Sequence, residues 1–166
     1  MEGLRKIVTC FAFWGLATGG LRAAETHKAT LDGYREVPAV STTGEGSLVL
    51  KVANNEASMD YTLTYSNLEG ATTLAAHIHL GQKDVNGAVS AFLCGGPTPP
   101  CPPTGGTVSG TITATDVIGP TSQGIAPGEL AELLRAIRTG NTYANVHTAS
   151  HPGGEIRGQI HPGGGQ

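Results

Sequence analysis

Short runs in which apolar and polar residues alternate, separated by glycine, proline and asparagine, constrain this chain more than any other feature. The pattern is clearest in GSLVLKVA (46–53), where Leu48, Leu50 and Val52 share a face, and in SMDYTLTYS (58–66), where Met59, Tyr61, Leu63 and Tyr65 do. Side chains along a strand project to opposite faces in turn, so each such run buries one face and wets the other, as antiparallel strands do. KATLDG, LAAHIHLG, AVSAFL, TVSGTITATDV, TYANVHT and GEIRGQI bring the number of runs to eight. Asn54-Asn55 marks a hairpin between the two clearest runs. With 25 glycines and 10 prolines to turn the chain, eight short strands predict an all-β fold, an antiparallel β-sandwich or a flattened Greek-key barrel. One segment departs from period two. In PGELAELLRAIRTG (127–140), Leu130, Leu133, Leu134 and Ile137 recur at helical spacing between a proline and a glycine, which predicts one short amphipathic helix capping an open end of the fold.

The first 24 residues read differently. MEGLRK is basic, IVTCFAFWGLATGG is apolar, and small residues follow at LRAAE, the layout of a secretion signal cleaved after Ala23 or Ala24. The competing reading, an uncleaved anchor, needs roughly 20 uninterrupted apolar residues, and Thr and Gly break this run. The expected organisation is a cleaved signal over 1–24, one domain over 25–162 and a flexible tail over 163–166, in the periplasm or secreted, with no membrane span after cleavage. Losing Arg5, Lys6, Arg22 and Glu2 removes a net +2 and moves the formal charge from −3 to −5. No basic patch remains to neutralise phosphates, so nucleic acid is excluded as a partner. Cys94 and Cys101 bracket GGPTPP. In an oxidising compartment they predict a local disulfide worth about 2–3 kcal/mol, the alternative being that Cys94 serves a metal as thiolate.

Four of the six histidines fall in two windows, LAAHIHLG and NVHTASHPGG. His77 and His79 share one strand face with Cα atoms roughly 6.5–7 Å apart, so both imidazoles can reach one ion at metal–nitrogen distances of about 2.0–2.1 Å. Two ligands make a weak site. His147, on a later strand, supplies the third if the two strands lie close together, and His151 is a further candidate. Imidazole-rich sites suit copper first, by its place in the divalent affinity order, and zinc second; no carboxylate completes a facial triad, and no calcium-loop signature is present. The alternative is that each ring hydrogen-bonds a backbone carbonyl and binds nothing. His161 opens the segment HPGGGQ, expected to be a loose tail, and is assigned no role. Glu155 and Arg157 lie two apart on one strand, either as a solvent-facing salt bridge or as a device in which Arg157 guides an anion to the metal. No nucleophile–base constellation is readable, so no catalytic residue is assigned.

AAHIHLG (75–81), YANVHTASHPGGEIRGQI (143–160) and the opening ATLDGYREVPAVSTTGEG (29–46) together resemble the CHRD domain, the module named after repeats in chordin and found as a single domain in many secreted bacterial proteins. The resemblance spans about residues 29–161 and implies an exported all-β domain. His77, His79 and His147 fall on the family's motif positions, whereas His151 stands where the family usually carries Asn or another residue. A second resemblance, to copper-zinc superoxide dismutases, lies in the order HIH, NVH and GGEIRG; it implies copper on the three histidines and an anion-guiding Arg157. The zinc-loop ligands of those enzymes have no counterpart here. Three functions follow: a copper-holding binding module, a non-catalytic interaction module whose partner is another extracytoplasmic protein, and a superoxide dismutase-like enzyme.

Overall fold

The structure, a computed structural model, describes residues 25–163. The expected signal segment and the last three residues lie outside the described residues. All eight expected strands form: β1 (Glu25–Asp32), β2 (Glu45–Val52), β3 (Ser58–Ser66), β4 (Thr73–Leu80), β5 (Ala88–Cys94), β6 (Gly106–Thr113), β7 (Thr142–Thr148) and β8 (Ile156–Gln159). A ninth, β9 (His161–Pro162), pairs His161 with Lys28 of β1, so His161 belongs to the sheet and not to a loose tail.

The strands form one antiparallel sheet in the order β5-β4-β7-β8-β1-β2-β3-β6. The two edge strands come together, and the inward Tyr61 hydroxyl of β3 donates to Leu93 O of β5 at 2.7 Å across the seam. Of the two expected architectures, the chain therefore adopts the flattened barrel. Asn54 and Asn55 do lie in the β2–β3 hairpin, whose strands pair from Glu45↔Ser66 to Val52↔Met59.

Inward side chains of β2 and β3 meet those of β4, β7 and β8 in one apolar core that includes Leu48, Leu50, Leu63, Ile78, Val146 and Ile156. Each contributes about 1.5–3 kcal/mol of burial. Helix α1 (Leu130–Arg138) turns Leu130, Leu133, Leu134 and Ile137 into the same core and closes one end of the barrel. It stops where Gly140 takes the left-handed φ of 71° that a side chain would resist. Arg138, in its last turn, ion-pairs with Glu25 at 2.7 Å and with Glu56 at 2.8 Å. At the other end the Cys94–Cys101 disulfide pins the proline-rich loop, and Tyr65 Oη donates to Pro102 O at 2.6 Å.

Half of the sheet breaks the expected alternation. β2 and β3 are wet on their outer face, but six of seven residues of β7 and all four of β8 are buried. Three segments fold back over this part of the outer surface: residues 33–44, 81–87 and 149–155. His79 and His147 touch that cover at Gly87 O and Pro152 O, and His151 lies within it.

Candidate metal centre

β4 and β7 are direct neighbours, with His79 opposite Tyr143, His77 opposite Asn145 and Ala75 opposite His147. Period two sends Ile78, Ala144 and Val146 into the core, and therefore sends His77, His79, Tyr143, Asn145 and His147 to the covered outer face. Irregular register between β4 and β5 beside His77 and His79 sets Phe92 opposite His77, and the two rings meet edge to face at 4.4 Å.

The ligand atoms of His77, His79 and His147 all lie within 4.8 Å of one another. Around an ion at 2.0–2.1 Å, imidazole nitrogens stand about 3.3 Å apart, a spacing reached from here by small side-chain rotations. The tautomers suit the task. His79 Nδ1 faces Gly87 O at 3.0 Å and His147 Nδ1 faces Pro152 O at 3.1 Å. A proton on each Nδ1 donates to that carbonyl and leaves the Nε2 lone pair bare, the outer-shell arrangement that orients metal-binding imidazoles. Both Nε2 atoms, and both nitrogens of His77, are shielded from solvent without a hydrogen-bond partner among the described residues. Such atoms are costly to leave unmatched, and a cluster of them could hold a Lewis-acidic ion.

The surroundings keep the rings neutral. Burial, followed by the neighbouring His147 and His79, lowers the His77 pKa to about 3. Burial likewise brings His79 down to about 4 against the raising effect of the Gly87 carbonyl, and it lowers His147.

His151 does not join the cluster; its Nδ1 lies 3.6 Å from Glu155 Oε2. Glu155 and Arg157 do not pair with each other and neither faces solvent, being 0% and 2% exposed. Glu155 accepts from Thr42 Oγ1 at 2.7 Å, Glu69 N at 2.7 Å, Gly70 N at 3.0 Å and Thr148 Oγ1 at 2.7 Å. Arg157 donates to Asn86 Oδ1, Gln82 O and Val85 O, holding the 81–87 segment over the sheet. Its guanidinium carbon sits 3.5 Å from the Tyr143 ring centre, and the Tyr143 ring stacks at 4.8 Å on His79. Since β4 and β8 flank β7, Tyr143 stands between the arginine and the histidines.

Sequence reasoning overlooked Tyr143, Asn145 and Glu36. The first two were within reach, because they lie four and two residues before His147 and so share its face. Glu36 sits in a loop and carried no such signal. It is buried beside Asn145, whose Nδ2 donates to Glu36 Oε2 at 3.4 Å, and burial raises its pKa to about 7.

The model of the CHRD domain family matches residues 27–160, nearly all that the structure describes. The chain belongs to the CHRD family. No curated protein and no solved structure matches it. All three clustered histidines fall within the CHRD match, as do Cys94 and Cys101.

A pH dependence follows from the neutral rings of this CHRD domain. Their pKa values are lower folded than unfolded, so between about pH 4 and 6.5 the unfolded chain binds more protons and stability increases with pH. Glu36 acts in the opposite sense between the ordinary carboxyl value of 4.5 and about 7, because the folded state keeps its proton longer. A tenfold difference in proton affinity between the two states corresponds to about 1.4 kcal/mol, and the histidines outnumber the glutamate. Metal-free protein should therefore lose on the order of 3 kcal/mol from pH 7 to pH 4, read as a falling urea midpoint. A midpoint that holds or rises over this range would contradict the neutral assignment.

Proposed function

We propose that this CHRD protein is an exported, non-catalytic metal-handling module that holds copper through His77, His79 and His147. The family supports the coarser statement directly: a binding or interaction domain. The finer reading rests on one observation, the convergence of three imidazoles whose free nitrogens are shielded and unpartnered. Imidazole ligation and the divalent affinity order favour copper, with zinc the second choice because a three-nitrogen site with one open position also suits it. The disulfide fits an extracytoplasmic location, and among the described residues no helix is long and apolar enough to cross a membrane.

The enzyme reading has less behind it. Anion guidance needs Arg157 beside the metal, and the Tyr143 ring lies between them. An interaction module that binds no metal is the stronger rival, since family membership alone is enough for it.

Thermal unfolding with and without one equivalent of Cu(II), repeated with Zn(II), separates these. A ligand bound only by the folded state adds about 2.7 kcal/mol at 100 times its dissociation constant. The copper-dependent rise should vanish in the His77→Ala/His79→Ala variant and persist in His151→Ala. No rise in the wild-type protein with either ion would leave the interaction module as the function.

A further inference from the structure

A second polar site lies on the far side of Tyr143. A cavity of about 550 Å³ opens between the end of β1, the 81–87 segment, β8 and β9, and it is lined by Arg35, Lys83, Arg157 and His161 with Asp84 as its single carboxylate. Three of the seven lysines and arginines in the described chain converge here, although the protein as a whole carries a formal charge of −3.

The charge on the cavity wall is cancelled only in part, by the Asp84 carboxylate in the lining and by Asp32 beside Arg35. Arg35 is offset by Asp32 at 2.8 Å. Arg157 and Lys83 form no salt bridge with any described carboxylate. The three acceptors that Arg157 engages, two carbonyls and an amide oxygen, are neutral, and the residue is 2% exposed. Buried cations are ordinarily matched by an anion, because neutral acceptors satisfy the N–H groups but leave the charge. Glu36 is the buried carboxyl that feels the charge of Arg157: burial pushes its pKa up to about 7 and Arg157 draws it down, and the two are not joined in a salt bridge. A guanidinium fixed in position by loop carbonyls and an aromatic face is a preorganised receptor for a planar or tetrahedral oxyanion. At the rim Tyr34 is 72% exposed and offers a flat apolar surface for the rest of a small molecule.

We propose that this cavity binds the oxyanion group, phosphate, sulfate or carboxylate, of a small molecule, with Arg157 and Lys83 in its wall as the cationic partners. The cavity shares no lining residue with the histidine cluster, so its test uses protein without added metal.

Backbone amide spectra are recorded while the protein is titrated with inorganic phosphate, with glucose 6-phosphate, and with glucose as the uncharged control. Saturable shifts at Tyr34, Lys83, Asp84 and His161 are expected with the phosphates and none with glucose. Lys83 is exposed, so reversing its charge leaves the fold intact; Lys83→Glu should weaken binding at least about tenfold, some 1.4 kcal/mol, while Lys83→Arg retains it. Tighter binding of the sugar phosphate assigns an organic anion, and equal binding assigns the free ion; either supports the site. Absence of saturable shifts with both phosphates, or binding indifferent to Lys83→Glu, overturns it.

Discussion

Glu155→Ala should remove about 3–5 kcal/mol from the stability of this domain, the largest loss expected from any single side chain outside the apolar core. The carboxylate is fully buried immediately before β8 and takes hydrogen bonds from Thr42, Glu69, Gly70 and Thr148. Those donors come from the 33–44 segment, the β3–β4 connection and the end of β7, so one side chain closes the barrel end opposite the helix. Burial alone would raise its pKa, but the four donors outweigh burial and lower it, which means that the ionised form is the one the fold holds. Truncation leaves two backbone N–H groups and two hydroxyls without their acceptor, and each such loss costs about 1–3 kcal/mol before relaxation. Glu155→Gln keeps the shape but offers one acceptor oxygen in place of two and no charge, so it should fall between alanine and wild type. Denaturant unfolding checks both variants. A Glu155→Ala protein within about 1 kcal/mol of wild type would show that the three segments are held by other means.

The failure to foresee this role shows where sequence pattern stops being informative. Period two located the eight main strands, because β2 and β3 bury one face and wet the other. It also put His77 and His79 on one face of their strand. It could not say which face is the core, and the two histidine strands carry their histidines away from it. The rule of a wet outer face then failed at β7 and β8, which the 33–44, 81–87 and 149–155 segments cover. Glu155 and Arg157, two residues apart on a strand, fit a solvent-facing pair only if that face is open. Once covered, each found partners far away in sequence, Glu155 up to 113 residues off and Arg157 up to 75. The choice between sandwich and barrel was equally out of reach, since it turns on the contact of Tyr61 with Leu93 across the seam. Long-range pairings of this kind leave no local trace. His161 was misjudged for a simpler reason: a two-residue strand is too short to show any period.

The sharpest discrimination between a metal-binding and a structural role for the histidines comes from making His77 apolar. Both of its ring nitrogens are shielded and without a hydrogen-bond partner among the described residues, and its ring packs against Phe92. In the metal-free protein these nitrogens are buried polar atoms that nothing repays, so His77→Leu should raise stability by about 1–2 kcal/mol while abolishing the copper-dependent rise in melting temperature. A group that weakens the fold and is kept for what it binds behaves in this way. His79→Leu provides the contrast within the same cluster. His79 holds Gly87 O through Nδ1 and stacks on Tyr143, so its replacement should destabilise the 81–87 segment as well as lose the metal. If His77 is instead a structural residue of an interaction module, His77→Leu lowers the melting temperature and copper has no effect on either protein. Calorimetry on wild type, His77→Leu and His79→Leu, each with and without copper, therefore separates the two roles by the sign of the first substitution.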